Sequence, residues 1–125
     1  IRFSYTDLPA VASNSVVITD KYSFPVGAKF SKVEIQTWTD MDSTSDDMTL
    51  NVGWVDLDGT SNADVDAFVV AATQAELIAG GTNVTGWVGV AVDGAATTTS
   101  KYLTWEVDNH AASAGEGVIN IYWTT

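Results

Sequence analysis

The chain has no cysteine, which removes disulfides, thiolate zinc sites and cysteine nucleophiles and leaves the redox compartment unread. Histidine is almost as scarce, with His110 alone. Cations are few: five Lys or Arg stand against sixteen Asp or Glu, a net charge of −11. A surface of that sign repels phosphate backbones and anionic headgroups, which argues against nucleic-acid and membrane partners. Long apolar runs are missing too. Stretches such as AFVVAA and WVGVAV fall far short of the roughly 20 residues a membrane-spanning helix needs. No basic stretch followed by an apolar one opens the chain, as a secretory signal would. No nucleophile elbow, P-loop or HExxH pattern is found either.

What remains is the material of one soluble globular domain over residues 1–125. Of its residues 46% are hydrophobic and 17% charged, which separates it from a disordered acidic tail. The dominant pattern is alternation with period two. In KVEIQTW (32–38), Val33, Ile35 and Thr37 fall on one face and Lys32, Glu34, Gln36 and Trp38 on the other. In MTLNVGW (48–54), Met48, Leu50, Val52 and Trp54 oppose Thr49, Asn51 and Gly53. Half-buried strands of an antiparallel sheet read this way.

Further strands are expected at IRFSYT (1–6), SVVITDKYSF (15–24), VTGWVGVAV (84–92), SKYLTWEV (100–107) and GVINIYW (117–123), all rich in β-branched and aromatic residues. Turn-forming clusters separate them: PVGA (25–28), DMDSTSDD (40–47), DGTSNAD (58–64), DGAATTTS (93–100) and NHAASAGEG (109–117). DAFVVAATQAELIA (66–79) carries both periodicities, and reads as a strand through about Ala72 followed by a short helical turn near residues 74–79. The expected class is all-β, an antiparallel sandwich or barrel.

Candidate chemistry is sparse. Asp40, Asp42, Asp46 and Asp47 share one loop, and Asp56, Asp58, Asn62, Asp64 and Asp66 another. Alternating carboxylates suit calcium. However, with Asp40 or Asp56 as first ligand, neither loop has the glycine at position six or the glutamate at position twelve of an EF-hand. Strand-ending Asp residues that bond their own turns are the favoured reading, and no cofactor is expected. His110 lies near Asp108 and Ser113 in sequence, but triad members come from distant segments, so His110 reads as a solvated loop residue. Glu34, Glu76, Glu106 and Glu116 offer carboxylates for glycoside hydrolysis, yet their spacing selects no pair.

Five tryptophans are many for this length. Alternation places Trp54, Trp105 and Trp123 with the apolar faces, as core. Trp38 and Trp87 fall with polar neighbours, where a large aromatic becomes a candidate partner contact. Ile1, Arg2 and Phe3 are the other contact candidates, because IRFSYTD could add to a neighbour's sheet as an exchanged arm. A plain first strand in its own sheet is the alternative.

The order of motifs carries a resemblance. Pro25, Gly27 and Ala28 precede the Val33–Ile35 strand. Leu50, Val52 and Gly53 follow, then Asp66-Ala67-Phe68, and Ala114, Gly115, Gly117, Val118, Asn120 and Tyr122 close the chain. Over residues 24–123 this resembles small virion structural proteins of tailed and marine phages, including capsid decoration (cement), head-fibre and tail-associated proteins. The resemblance implies a jelly-roll-like β-sandwich on the outer capsid surface, a homotrimer whose partner is the major capsid protein. It implies no enzyme. A carbohydrate-binding or fibre-associated module using Trp38 and Trp87 is the second reading.

Overall fold

The computed structural model describes residues 1–10, 15–80 and 95–125, with the side chains of 15–21 outside that description. The strand expected at 84–92, with Trp87, also lies outside it. The described strands are β1 (Arg2–Ser4), β2 (Ser15–Phe24), β3 (Lys29–Ser43), β4 (Thr49–Asp56), β5 (Asp64–Thr73), β6 (Lys101–Asp108) and β7 (Ala112–Thr124). They form a three-stranded sheet in the order β1-β7-β3 and a four-stranded sheet in the order β2-β6-β4-β5, every pairing antiparallel. The all-β, antiparallel sandwich expected from the sequence is what the chain forms.

Between the sheets the inward faces meet. Phe30, Val33, Ile35 and Ile119 come from the smaller sheet, and Leu50, Val52, Phe68, Leu103, Trp105 and Val107 from the larger; all are buried. An aromatic cluster joins the two layers at one end. Phe68 lies edge-on to Phe30 (4.8 Å between centroids) and to Trp54 (5.4 Å), while Phe24 meets Phe30 at 5.0 Å. Tilted and edge-to-face contacts bring the positive ring edge to a negative face, adding to the burial energy. Trp105 packs on Phe3 farther along the core, at 5.5 Å.

One short helical turn, Gln74–Glu76, follows β5 where the sequence placed it. It is closed by Glu76, whose carboxylate accepts from the Thr73 amide (2.9 Å) and hydroxyl (2.8 Å), satisfying donors that a helix start leaves open. A second such turn, Tyr5–Asp7, is capped by Asp7 from Ser4 in the same manner.

Several expectations are corrected. The NHAASAGEG stretch is strand from Ala112 onward, because β3 runs on to Ser43 and supplies it a partner edge. Likewise DMDS belongs to β3, and only the end of the acidic cluster turns. Trp123 is not core. It shares the face of Ile119 and Ile121, but sits where β7 overruns the core, edge-on to Phe24 at 6.0 Å and 42% exposed. IRFSYT gives a three-residue strand paired with β7 of its own sheet.

The polar face of β4 is more covered than alternation suggests. Gly53 lies so close to β5 that an added Cβ would collide with the Asp64 carbonyl oxygen. Asn51 is buried, and its side-chain Oδ1 accepts the backbone amide of Ala71, which sits at φ +49° in an irregular stretch of β5. The Asn51 amide group donates to Glu106 (2.9 Å) and Asp108 (3.3 Å) of β6. Asn51 thereby satisfies a backbone donor that the strand ladder leaves out.

Because Phe68 touches Phe24, Phe30 and Trp54, Phe68→Ala should open a cavity that spans both layers. The expected loss is about 3–5 kcal/mol in a urea-unfolding midpoint series. A loss below about 1 kcal/mol would mean that the cluster does not join the layers.

Candidate functional site

The site grows from a fault in the longest ladder. Thr37 pairs with Gly117 and Thr39 with Glu116, leaving Trp38 as an extra residue in β3. Such a bulge re-aims a side chain and bends its strand. The indole lies 42% exposed and is held on two sides. Its Nε1–H donates to Glu116 Oε2 (3.0 Å), and the Arg2 guanidinium lies 5.2 Å from the ring centre. A cation over an aromatic face is attracted by the ring quadrupole, so Trp38 is a fixed platform.

Beyond Trp38 the segment after the helical turn is stitched to β3. Thr37 Oγ1 donates to the Ile78 carbonyl (2.7 Å), the Met41 amide to the Leu77 carbonyl (2.9 Å), and the Ala79 amide to the Asp40 carboxylate. Between this segment and β3 lies an open groove of about 790 Å³, lined by Trp38, Asp40, Asp42, Asp46, Gln74 and Ile78 among others. Gln74 is its polar centre. The amide Nε2 donates to Asp42 (3.1 Å) and Asp46 (3.0 Å), and Oε1 accepts from Ser43 Oγ (2.7 Å). The groove therefore presents an indole and the exposed Ile78 beside carboxylates. It suits a ligand with an apolar face and donors or a cation next to it.

Of the candidate contact residues, Arg2 and Trp38 meet here. Phe3 is buried in the core, and Ile1 is half-buried, exchanging backbone bonds of 2.8 Å with Ile119. Trp87 lies outside the described residues. Gln74 and Ile78 went unmarked in sequence. Their signal was the Thr73–Glu76 cap, which turns the chain back over β3.

In the second acidic loop, Asp56 and Asp58 bond within the fold. Asp56 accepts from Lys101 Nζ (2.5 Å), Thr99 Oγ1 (2.6 Å) and Asn62 Nδ2 (2.6 Å). Hydrogen bonds from Lys101 first, then Thr99 and Asn62, hold its carboxyl below the usual carboxylate range. Asp58 closes its own turn through the Ser61 hydroxyl and the amides of Ser61 and Thr60, and is held at about 2. Asp64 is pushed up, by burial and then by Asp66 beside it. Among the described residues no group of three or more His, Asp or Glu is placed to hold a metal ion.

The His110 ring meets partners far in sequence. Its Nδ1 lies 2.6 Å from Asp47 Oδ1, and Nε2 lies 3.4 Å from Ser45 Oγ. The Asp47 and His110 side chains stay open to water at 49% and 43%. An imidazole whose orienting carboxylate is solvated is poorly held for catalysis. The contact works as a clasp between the β3–β4 and β6–β7 turns.

No protein-family model matches this chain, and no curated protein does. A structural likeness is found to a chain of the cyanophage Pam1 capsid asymmetric unit. The TM-score is 0.50 at 20% identity, covering 98% of this chain and 77% of that one. At this identity the likeness is one of fold.

The Asp58 bonds define a titration. A carboxyl held at about 2 against about 3.9 when unfolded contributes stability that is complete above pH 4 and is lost as pH falls towards 2. The Thr60 and Ser61 amide shifts should therefore titrate with a midpoint near 2. A midpoint near 4 would show that these bonds do not form in solution.

Proposed function

We propose that this chain is a structural protein of a phage virion, a decoration protein that binds the outer shell through the major capsid protein and reinforces it. The observation that carries this reading is the shared fold: nearly the whole chain follows that of a cyanophage capsid component. The molecule's chemistry supports it. Its tryptophan platform offers a contact surface, Asp56 and Asp58 are taken up by an ion pair and a turn, and its histidine clasps two hairpins.

The groove beside Trp38 is the surface we assign to the shell. An indole fixed in advance loses little entropy on binding, which is how aromatic anchors concentrate affinity. Asp40, Asp42 and Asp46 beside it favour a partner segment that brings a lysine or arginine. Many copies, each with a modest interface, would together stabilise the lattice. A homotrimer fits this role, since three copies can close around a threefold position and place three grooves at once.

Shells stripped of the chain and mixed with purified protein test this. The wild type should co-sediment with the shells and raise their rupture temperature, and light scattering should show trimers. Trp38→Ala should weaken shell binding about thirtyfold, the equivalent of an anchor worth about 2 kcal/mol. Absence of co-sedimentation would contradict the proposal.

One observation favours a second reading at the same groove. A pinned indole next to carboxylates and an amide is also a combination that stacks on and hydrogen-bonds a sugar ring. Oligosaccharide titrations separate the two: quenching or a shift of tryptophan fluorescence that Trp38→Ala abolishes supports the sugar reading, and no response removes it.

A further inference from the structure

The turn between β3 and β4, residues 44–48, is tied down from two directions. From the β6–β7 turn, His110 Nδ1 lies 2.6 Å from Asp47 Oδ1, and Nε2 lies 3.4 Å from Ser45 Oγ. Beside the ring, the Asn109 side-chain amide donates to the Asp47 carbonyl (2.9 Å). From the groove, Gln74 Nε2 donates to Asp46 Oδ1 (3.0 Å). Adjacent residues of one turn thus hold the histidine and the polar centre of the Trp38 groove.

The backbone on both sides of this contact is strained. Asp46 sits at φ +55° and Asn109 at φ +67°, a left-handed conformation that a residue with a Cβ enters against steric resistance. Side-chain bonds therefore help to hold the shape that presents Asp46 to Gln74. Of these bonds, the one made by His110 changes with pH. Histidine is the side chain whose ordinary titration falls between about pH 5 and 8. As an imidazolium the ring puts a full charge behind its Nδ1–H, and such charge-assisted bonds are the stronger kind. The two turns and the end of β6 bring three charged neighbours, Asp46, Asp47 and Asp108, and no lysine or arginine. Asp108 accepts from Asn51 (3.3 Å), and Asp47 is the carboxylate that the ring touches.

We propose that the His110–Asp47 clasp is a pH-sensitive device that sets the Trp38 groove. With His110 protonated, the clasp fixes the β3–β4 turn and holds Asp46 against Gln74. As pH rises through the His110 titration, the ion pair is lost and the turn is released. The consequence for binding has a definite sign. Gln74 also donates to Asp42 (3.1 Å) and accepts from the Ser43 hydroxyl (2.7 Å), so a fixed turn presents the groove's carboxylates in one arrangement. A cationic partner segment then binds without the cost of ordering them. Attachment through the groove is therefore tighter at mildly acidic than at mildly alkaline pH. The inference rests on the groove reading for its use; its test needs no shell, so the two can fail separately.

The test uses the full chain labelled with ¹³C and ¹⁵N, titrated from about pH 5 to 8, a window in which ordinary carboxylates stay ionised. The His110 ring resonances give the protonation midpoint. The Gln74 side-chain amide resonances report the groove, and they should shift with that same midpoint. In His110→Gln the Gln74 response should vanish. In Asp47→Asn the histidine still titrates but meets a neutral partner, and the Gln74 response should fall to about half or less. Three results would overturn the proposal. One is a Gln74 amide that stays still while His110 titrates, since turn and groove are then uncoupled. Another is a response that persists in His110→Gln, since a different group then drives it. The third is a full response in Asp47→Asn, since the ring's charge then reaches Gln74 without the clasp.

Discussion

Pairing between β3 and β7 carries the candidate site of this molecule. The two strands lie antiparallel from Lys29–Thr124 at one end to Ser43–Ala112 at the other. Their inward faces supply Phe30, Val33, Ile35 and Ile119 to the core. The ladder's irregularities matter as much as its length. One fault falls at Trp38, on the outer face, and a further shift lies between Phe30 and Lys32, opposite Trp123 and Tyr122. A perfectly regular ladder would have placed Trp38 by simple alternation and left it without the bulge that aims it.

Charge is distributed in keeping with this frame. Lys101 is buried against Asp56 and lies 5.4 Å from the Trp54 ring centre. Arg2 lies over Trp38, and Lys32 is paired with Glu34. Glu34 also accepts the Tyr122 hydroxyl (3.0 Å), and bonds from Lys32 and then Tyr122 hold its carboxyl below the ordinary range. These cations work inside the molecule, orienting an indole, closing a loop and fixing a strand pair. The excess of carboxylates is left to the surface, where it favours a partner that brings positive charge.

Much of the sandwich was legible in the sequence. KVEIQTW and MTLNVGW alternate because one side of each strand meets the core, and the mixed periodicity of DAFVVAATQAELIA marked the helical turn after Ala72. What was hidden depends on partners distant in sequence. NHAASAGEG has turn composition, yet β3's length draws Ala112 onward into strand. Trp123 alternates with buried isoleucines, but periodicity does not say where a core ends. Asn51 reads as an outward polar residue until β5 brings the Ala71 amide to it. Trp38 was picked out by its polar neighbours, while Gln74 and Ile78 joined it only because a capped turn folds back over β3. The approach of Arg2 to the Trp38 ring was equally invisible, since it depends on the register of β1 against β7.

The fold and the Trp38 groove are here proposed to serve attachment of this acidic sandwich to a virion shell. A reconstruction of the particle at side-chain resolution tests it most directly. If the proposal holds, density for the sandwich lies on the outer surface, with Trp38 and Asp40 against a basic and apolar segment of the major capsid protein. Particles that lack the chain, or that hold it with the Trp38 groove facing solvent, would overturn the proposal.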